Sequence, residues 1–276
     1  MSTPEMITAR DGESLALRHW PVAAADPASP RASLLIVHGL GEHGGRYERA
    51  SGIFAASGID TWALDLRGFG ASGGRRAYVD RLDVWLDDIA DRLAALRGLG
   101  RPVVLLGHSM GGLVCAAYAE SDRAQPNLLV LSAPAIAGNV PAWKQALARI
   151  LGNVTPTLGI KNALDGSILS RDPAVGADYV ADPLNVHTTT ARLGVVLLNA
   201  QAPTIARIDR IHVPTLVIHG GADHLVPTAS SEVFEGRPGI ERRVYPGLAH
   251  ETMNEPEGPE VVGEVAAWIE AHLPAA

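Results

Sequence analysis

Val103-Val104-Leu105-Leu106-Gly107-His108-Ser109-Met110-Gly111-Gly112-Leu113-Val114-Cys115-Ala116-Ala117-Tyr118-Ala119 reads from left to right as strand, sharp turn and helix. The run Val103 to Leu106 suits a strand buried on both faces, and the small and apolar residues from Leu113 onward suit a helix lying against it. Between them Gly107, Gly111 and Gly112 permit a tight turn with close backbone packing, which holds the Ser109 hydroxyl above the strand end at a helix N-terminus. A bare Gly-x-Ser-x-Gly is common by chance. The strand before it and the helix after it give this one the context of a nucleophile. Cys115, the only cysteine, sits inside the apolar helix and reads as core rather than as a reactive thiol.

Further apolar runs occur at Ser33 to Val37, Thr61 to Leu64, Leu128 to Leu131 and Thr215 to Ile218, and Arg242 to Tyr245 reads as a last strand. Met6 to Arg10 and Leu15 to Trp20 flank Asp11-Gly12 and read as an antiparallel hairpin. Helical patterns lie between the runs. In Asp80 to Arg97, Leu82, Leu86, Ile89, Leu93 and Leu96 follow the spacing of one helical face, with Asp80 as the expected cap. Pro259 to His272 is the expected final helix. Strands that alternate with helices need crossover connections, so the fold class is α/β: a mostly parallel eight-stranded sheet with helices on both faces. Ligands then bind at the carboxyl ends of the strands. The alternation lapses after Pro134 and resumes near Val213, with Ala142 to Leu151 as the best helix candidate in between. Residues 136–203 are therefore expected to be a cap inserted into a core domain formed by 1–135 and 204–276.

A serine hydroxyl at neutral pH is a weak nucleophile, so it needs a general base, and the base needs an acid to fix its tautomer. On an elbow of this kind the acid and then the histidine follow the serine along the chain. Asp223 lies just past the run Thr215 to Ile218, whereas the end of the run Leu128 to Leu131 offers Ser132-Ala133-Pro134 and no carboxylate. His250 follows the last strand in a loop ahead of the final helix. Its rivals fail on position: His108 precedes the serine, His219 lies on a strand, His224 adjoins the acid and His272 is late in a helix. Ser109, Asp223 and His250 are the expected catalytic set.

Acyl transfer also needs donors for an oxyanion. One is the backbone amide after the serine, Met110, and the other comes from the loop after an early strand, His38-Gly39-Leu40-Gly41-Glu42-His43, with the Leu40 amide as candidate. A carboxylate or cysteine nucleophile would imply other chemistry, and Ser109 is neither. His38 and His43 are not at the helical spacing of a zinc site and no Cys pair exists, so no metal and no cofactor are expected.

Composition narrows the partners. Lys and Arg total 23 against 30 Asp and Glu with no basic run, which argues against nucleic acid. The N-terminus lacks a basic head followed by an apolar stretch, and no apolar run approaches about 18 residues. A cytoplasmic protein, open to peripheral membrane contact, is the expectation.

At this point the sequence resembles the monoacylglycerol lipase family, close to the lysophospholipase-like branch of the α/β-hydrolases. The matching stretches are His38 to His43 with Gly45-Arg46-Tyr47, Asp65 to Gly74, Gly107 to Gly112, Ser170 to Pro173, Tyr179 with Asp182-Pro183-Leu184, and Tyr245 to Glu251. They span nearly the whole chain. The Gly-Glu-His segment and the cap motif are more selective than the elbow. The resemblance implies the α/β-hydrolase fold with a mobile apolar cap, and a serine esterase that cleaves monoacylglycerols to glycerol and free fatty acid. It implies a monoacyl lipid ester as substrate, transient contact of the cap with a lipid surface, and no obligate protein partner. Glu42, Arg46 and Tyr179 match positions that line the polar head-group pocket; the alternative is that Glu42 and Arg46 pair and brace the oxyanion loop. The chain departs from the family pattern at Leu66 and Phe69, where histidines are frequent. A short-chain carboxylesterase or a lysophospholipase with the same triad stays open. A non-catalytic receptor on a hydrolase scaffold is a third reading, which the complete triad opposes.

Overall fold

The apolar runs become strands laid side by side. The computed structural model describes residues 2–22, 30–137, 141–162, 164 and 166–274. Its strands are β1 (Glu5–Thr8), β2 (Ser14–Trp20), β3 (Ala32–Val37), β4 (Ile59–Leu64), β5 (Val103–His108), β6 (Leu128–Ser132), β7 (Gly159–Lys161), β8 (Thr188–Thr190), β9 (Thr215–Gly220) and β10 (Ile240–Tyr245). Eight of them form one sheet in the order β1-β2-β4-β3-β5-β6-β9-β10, while β7 and β8 pair separately. The β1–β2 and β2–β4 pairs are antiparallel and every other pair of the large sheet is parallel, as the alternating pattern requires. The helices are α1 (Glu48–Ala56), α2 (Leu82–Arg97), α3 (Met110–Ala119), α4 (Ala142–Val154), α5 (Pro173–Ala181), α6 (Ala191–Arg207) and α7 (Gly258–His272).

Side chains of a strand alternate between the two sheet faces, and both faces here are covered. Leu35, Val37 and Leu105 join one core with Trp85 and Leu93 of α2, Leu113 of α3 and Leu193 of α6. Leu34, Ile36, Val104 and Leu106 join a second core with Phe54 of α1 and Val262 and Ile269 of α7. This is why the strands read as unbroken apolar runs; each such side chain taken fully from water contributes about 1.5–3 kcal/mol. Cys115 is buried in the first core with a free thiol.

Two expectations change in detail. Asp80 does not cap α2: the helix starts at Leu82 with Arg81 at its N-cap and no side-chain cap bond. The Asp80 carboxylate lies instead 3.3 Å from the Arg192 guanidinium of α6, a full charge that competes with the backbone amides of the first turn. The segment between β6 and β9, where the sequence suggested one helix, holds among its described residues three α-helices, α4, α5 and α6, and the antiparallel pair β7–β8, whose strands lie on either side of α5 in the chain. Gly194 and Pro203 interrupt the sequence pattern of α6, yet the helix runs unbroken across the boundary expected at 203. No helix among the described residues is long and apolar enough to cross a membrane.

Candidate active site

β5 ends at the turn and α3 starts one residue after Ser109. Ser109 itself adopts φ 53° and ψ −115°, a strained backbone for a residue with a Cβ, held by its amide bond to the Ser132 carbonyl at 2.8 Å. The glycines around it are required by close approach. A Cβ on Gly107 would lie 2.3 Å from the Gly111 carbonyl oxygen, and one on Gly111 would lie 2.2 Å from that of Val37. The turn therefore fits only because these positions lack side chains.

Asp223 follows β9, and both of its oxygens are engaged. One accepts the amides of Leu225 and Val226 at 2.8 and 2.9 Å. The other lies 2.7 Å from His250 Nδ1 and 3.2 Å from His219 Nε2. Burial opposes ionisation of Asp223, but the bonds from His219 and His250 outweigh it and hold its carboxyl well below the usual carboxylate range. The carboxylate thus accepts a hydrogen bond from His250 Nδ1–H, which leaves Nε2 as the acceptor. His219, set aside in the sequence as a strand residue, is a second partner of the acid. His108 stacks obliquely on His250 with ring centroids 4.8 Å apart. Burial and the neighbouring His250 push its pKa down to about 4, so at neutral pH it adds no second positive charge beside the base.

The loop after β3 carries Leu40 and is clamped on several sides. Glu42 accepts the Gly39 amide and the Tyr47 hydroxyl and pairs with Arg46, and Arg46 forms a two-pronged pair with Glu251 at 2.7 and 2.9 Å. Burial works to raise the Glu42 pKa, but the Arg46 charge, acting together with the Gly39 amide and its other neighbours, outweighs it and keeps Glu42 ionised. The guanidinium also lies 5.1 Å from the Tyr179 ring centroid. The bracing alternative for Glu42 and Arg46 therefore describes their contacts, and Glu251, quoted in the sequence without a role, completes the brace. The network joins the oxyanion loop to the residue after His250. Tyr179 differs: its hydroxyl is buried with no hydrogen-bond partner among the described residues, and burial followed by the Glu42 charge pushes its pKa up to about 12.

Gly39, Leu40, Glu42, Arg46, Ser109, Tyr179 and His250 line one cavity of about 20 Å³, room for roughly one water. Asp223 stands behind His250, and Met110, at the first position of α3, has no intrahelical acceptor for its N–H. Leu164 and Leu169, from the segment between β6 and β9, also line the cavity. That segment is tied to both catalytic loops. His43 bonds Asp182 at 2.9 Å, Val186 bonds the Gly41 carbonyl at 2.9 Å, and Glu251 bonds the Leu169 carbonyl at 2.8 Å. A much larger cleft, about 830 Å³, lies elsewhere, between the start of α2, the end of α3 and α6. It is lined by the pairs Asp80–Arg192, Asp83–Arg123 and Asp122–Arg210 and, among the described residues, by no nucleophile paired with a base. Size alone misplaces the chemistry here.

Comparison with known proteins agrees with this geometry. A hydrolase family described as serine aminopeptidase, S33, matches residues 28–257. The chain is 37% identical over 252 residues to the monoacylglycerol lipase of Mycolicibacterium smegmatis, covering 88% of this chain and 90% of that one. It is 31% identical to the monoglyceride lipase of Homo sapiens over 80% of this chain and 73% of that one. The crystal structure of the Paleococcus ferrophilus monoacylglycerol lipase superposes with a TM-score of 0.84 at 30% identity, covering 94% and 99% of the two chains. With a serine elbow, an ordered acid and histidine, and these relatives over most of its length, the chain belongs to the monoacylglycerol lipase family of α/β-hydrolases.

Proposed function

We propose that the protein hydrolyses monoacylglycerols to glycerol and free fatty acid, with Ser109 as nucleophile, His250 as base and Asp223 as its orienting acid. The observation that carries this reading is the convergence of Ser109, His250 and the Leu40 loop on one small cavity. His250 Nε2 takes the hydroxyl proton as Ser109 attacks the ester carbonyl. The Leu40 and Met110 amides hold the oxyanion, and the leaving alcohol takes the proton back from His250. Water then repeats the cycle on the acyl-enzyme. The polar wall of Glu42, Arg46 and Tyr179 suits a glycerol head group, with the unpartnered Tyr179 hydroxyl as the group best able to bond it. An aminopeptidase site would need a carboxylate to receive the substrate ammonium, and the two carboxylates nearest the cavity, Glu42 and Glu251, are both taken by Arg46.

Residues 136–203 act as the cap. A cavity of about 20 Å³ does not hold an acyl glycerol, so Leu164, Leu169 and Tyr179 move aside for substrate to enter. Trp143, Leu147, Ile150 and Val154 of α4, spaced by four, three and four, form an apolar stripe that is 65, 45, 59 and 73% exposed. A surface helix ordinarily turns such a stripe inward. Facing outward, it suits transient contact with a lipid surface that delivers the substrate.

Ser109→Ala is the test. Turnover of a monoacylglycerol falls by about 10³- to 10⁶-fold while the protein stays folded. Comparable turnover by the variant refutes Ser109 as nucleophile. A series of monoacylglycerols, simple short-chain esters and lysophospholipids then compares kcat/KM, and a preference for either of the last two classes refutes the substrate assignment.

A further inference from the structure

We propose that His38 is a positioning residue for this reaction: its neutral imidazole fixes the Gly39–Leu40 peptide so that the Leu40 N–H faces the reacting oxygen. The inference rests on the reading of Leu40 as an oxyanion donor. It starts from the tautomer. The Leu66 amide donates to His38 Nε2 at 2.9 Å, so that nitrogen carries no proton. The proton is therefore on Nδ1, which lies 2.7 Å from the Gly39 carbonyl oxygen and donates to it. In a trans peptide the C=O and the following N–H point in opposite directions. Anchoring the Gly39 carbonyl on the imidazole thus aims the Leu40 N–H away from it.

The far side of that peptide is the active-site cavity. Gly39 and Leu40 both line it with Ser109, and a Cβ on Gly39 would lie 3.3 Å from Ser109 Cβ. The Leu40 N–H makes no hydrogen bond among the described residues. Gly39 is gripped at both ends, its amide by Glu42 and its carbonyl by His38. The peptide that supplies the oxyanion donor is consequently prevented from flipping. A flip would turn a carbonyl oxygen toward the developing negative charge.

The surroundings of His38 suit a fixed, uncharged ring. It is fully buried, and the Phe69 ring meets it edge-on with centroids 5.5 Å apart. Burial keeps the imidazole neutral against the pull of Glu42 and Asp65. A second proton would turn Nε2 into a donor and break the bond from Leu66. The Leu66 backbone amide and the Phe69 ring thus hold the imidazole.

The two nitrogens can be separated by substitution. His38→Asn places an amide nitrogen near Nδ1 and retains the bond to the Gly39 carbonyl. His38→Gln places its amide near Nε2 and retains only the Leu66 side. We expect His38→Gln to lower kcat about 10²-fold with KM little changed, the effect of losing one oxyanion donor, and His38→Asn to stay within about tenfold of the parent. Affinity for an alkyl trifluoromethyl ketone, whose hemiketal with Ser109 carries an oxyanion, falls in step with kcat for His38→Gln; affinity for the fatty acid product does not. Equal losses in the two variants, or unchanged ketone affinity in His38→Gln, overturn the proposal. Full turnover by Ser109→Ala overturns the underlying reaction, which makes the two failures distinguishable. His38→Leu adds a control that lacks both bonds; should it fail to fold, the Asn and Gln pair still decides.

Discussion

Replacing Glu120 with glutamine reports on a buried carboxyl at the far end of the nucleophile helix. Glu120 caps the C-terminus of α3, is 5% exposed, and has one side-chain oxygen without a hydrogen-bond partner among the described residues. Burial pushes its pKa from 4.5 up to about 8, against the weaker pull of Arg207 and Arg210. The negative end of the helix dipole works in the same direction as burial. Because the folded value is the higher one, the stability this group supports is fully present below pH 4.5 and is lost as the pH rises through about 8. At about 1.4 kcal/mol per pH unit the full difference sets a ceiling of about 5 kcal/mol. Water at the mouth of the 830 Å³ cleft that Glu120 lines lowers this, and we expect about 2 kcal/mol. Urea unfolding of parent and Glu120→Gln between pH 4.5 and 9 measures it. The two proteins should unfold alike near pH 4.5, and the variant should be more stable by about 2 kcal/mol near pH 9. Activity at neutral pH should be unchanged, since α3 separates Glu120 from Ser109 by about 15 Å. A stability difference that does not vary with pH refutes the reasoning.

Two further perturbations test the brace and the cap. Arg46→Met leaves Glu42 and Glu251 buried without their common partner, which should lower unfolding free energy by about 3 kcal/mol. Adding Glu251→Gln should recover part of this loss, and a purely additive double-mutant cycle by urea denaturation would contradict the network. Trp143→Ser with Ile150→Ser removes two of the most exposed apolar side chains of α4. Co-sedimentation with lipid vesicles should weaken by roughly tenfold per residue, and hydrolysis of a vesicle-borne substrate should fall more than that of a short soluble ester. Equal losses on both substrates would show that α4 serves the fold rather than the lipid surface.

The brace also explains how the two catalytic loops share one geometry. Arg46, from the turn after β3, grips the residue that follows His250, so the Leu40 loop and the His250 loop are spaced by one guanidinium. A planar fork with five donors does this where a lysine ammonium does not. The same loops bind the segment carrying α5, through His43 with Asp182 and Glu251 with Leu169.

Local chemistry made much of this legible in one dimension. Strands covered on both faces must be apolar at every position, so β3, β5, β6 and β9 stood out, and the glycines beside Ser109 marked a turn that tolerates no side chain. Chain order after that turn singled out Asp223 and His250. What the sequence left undecided depends on partners distant along the chain. Whether Glu42 and Arg46 face a ligand or each other turned on Glu251, some 205 residues from Arg46. His219 looked like any strand residue until the turn after β9 folded Asp223 back onto it. The stripe on α4 has the spacing of a core helix, and only its placement against α6 shows that it faces outward. Periodicity records which residues share a face. Which way that face points is decided by what the rest of the chain has already covered.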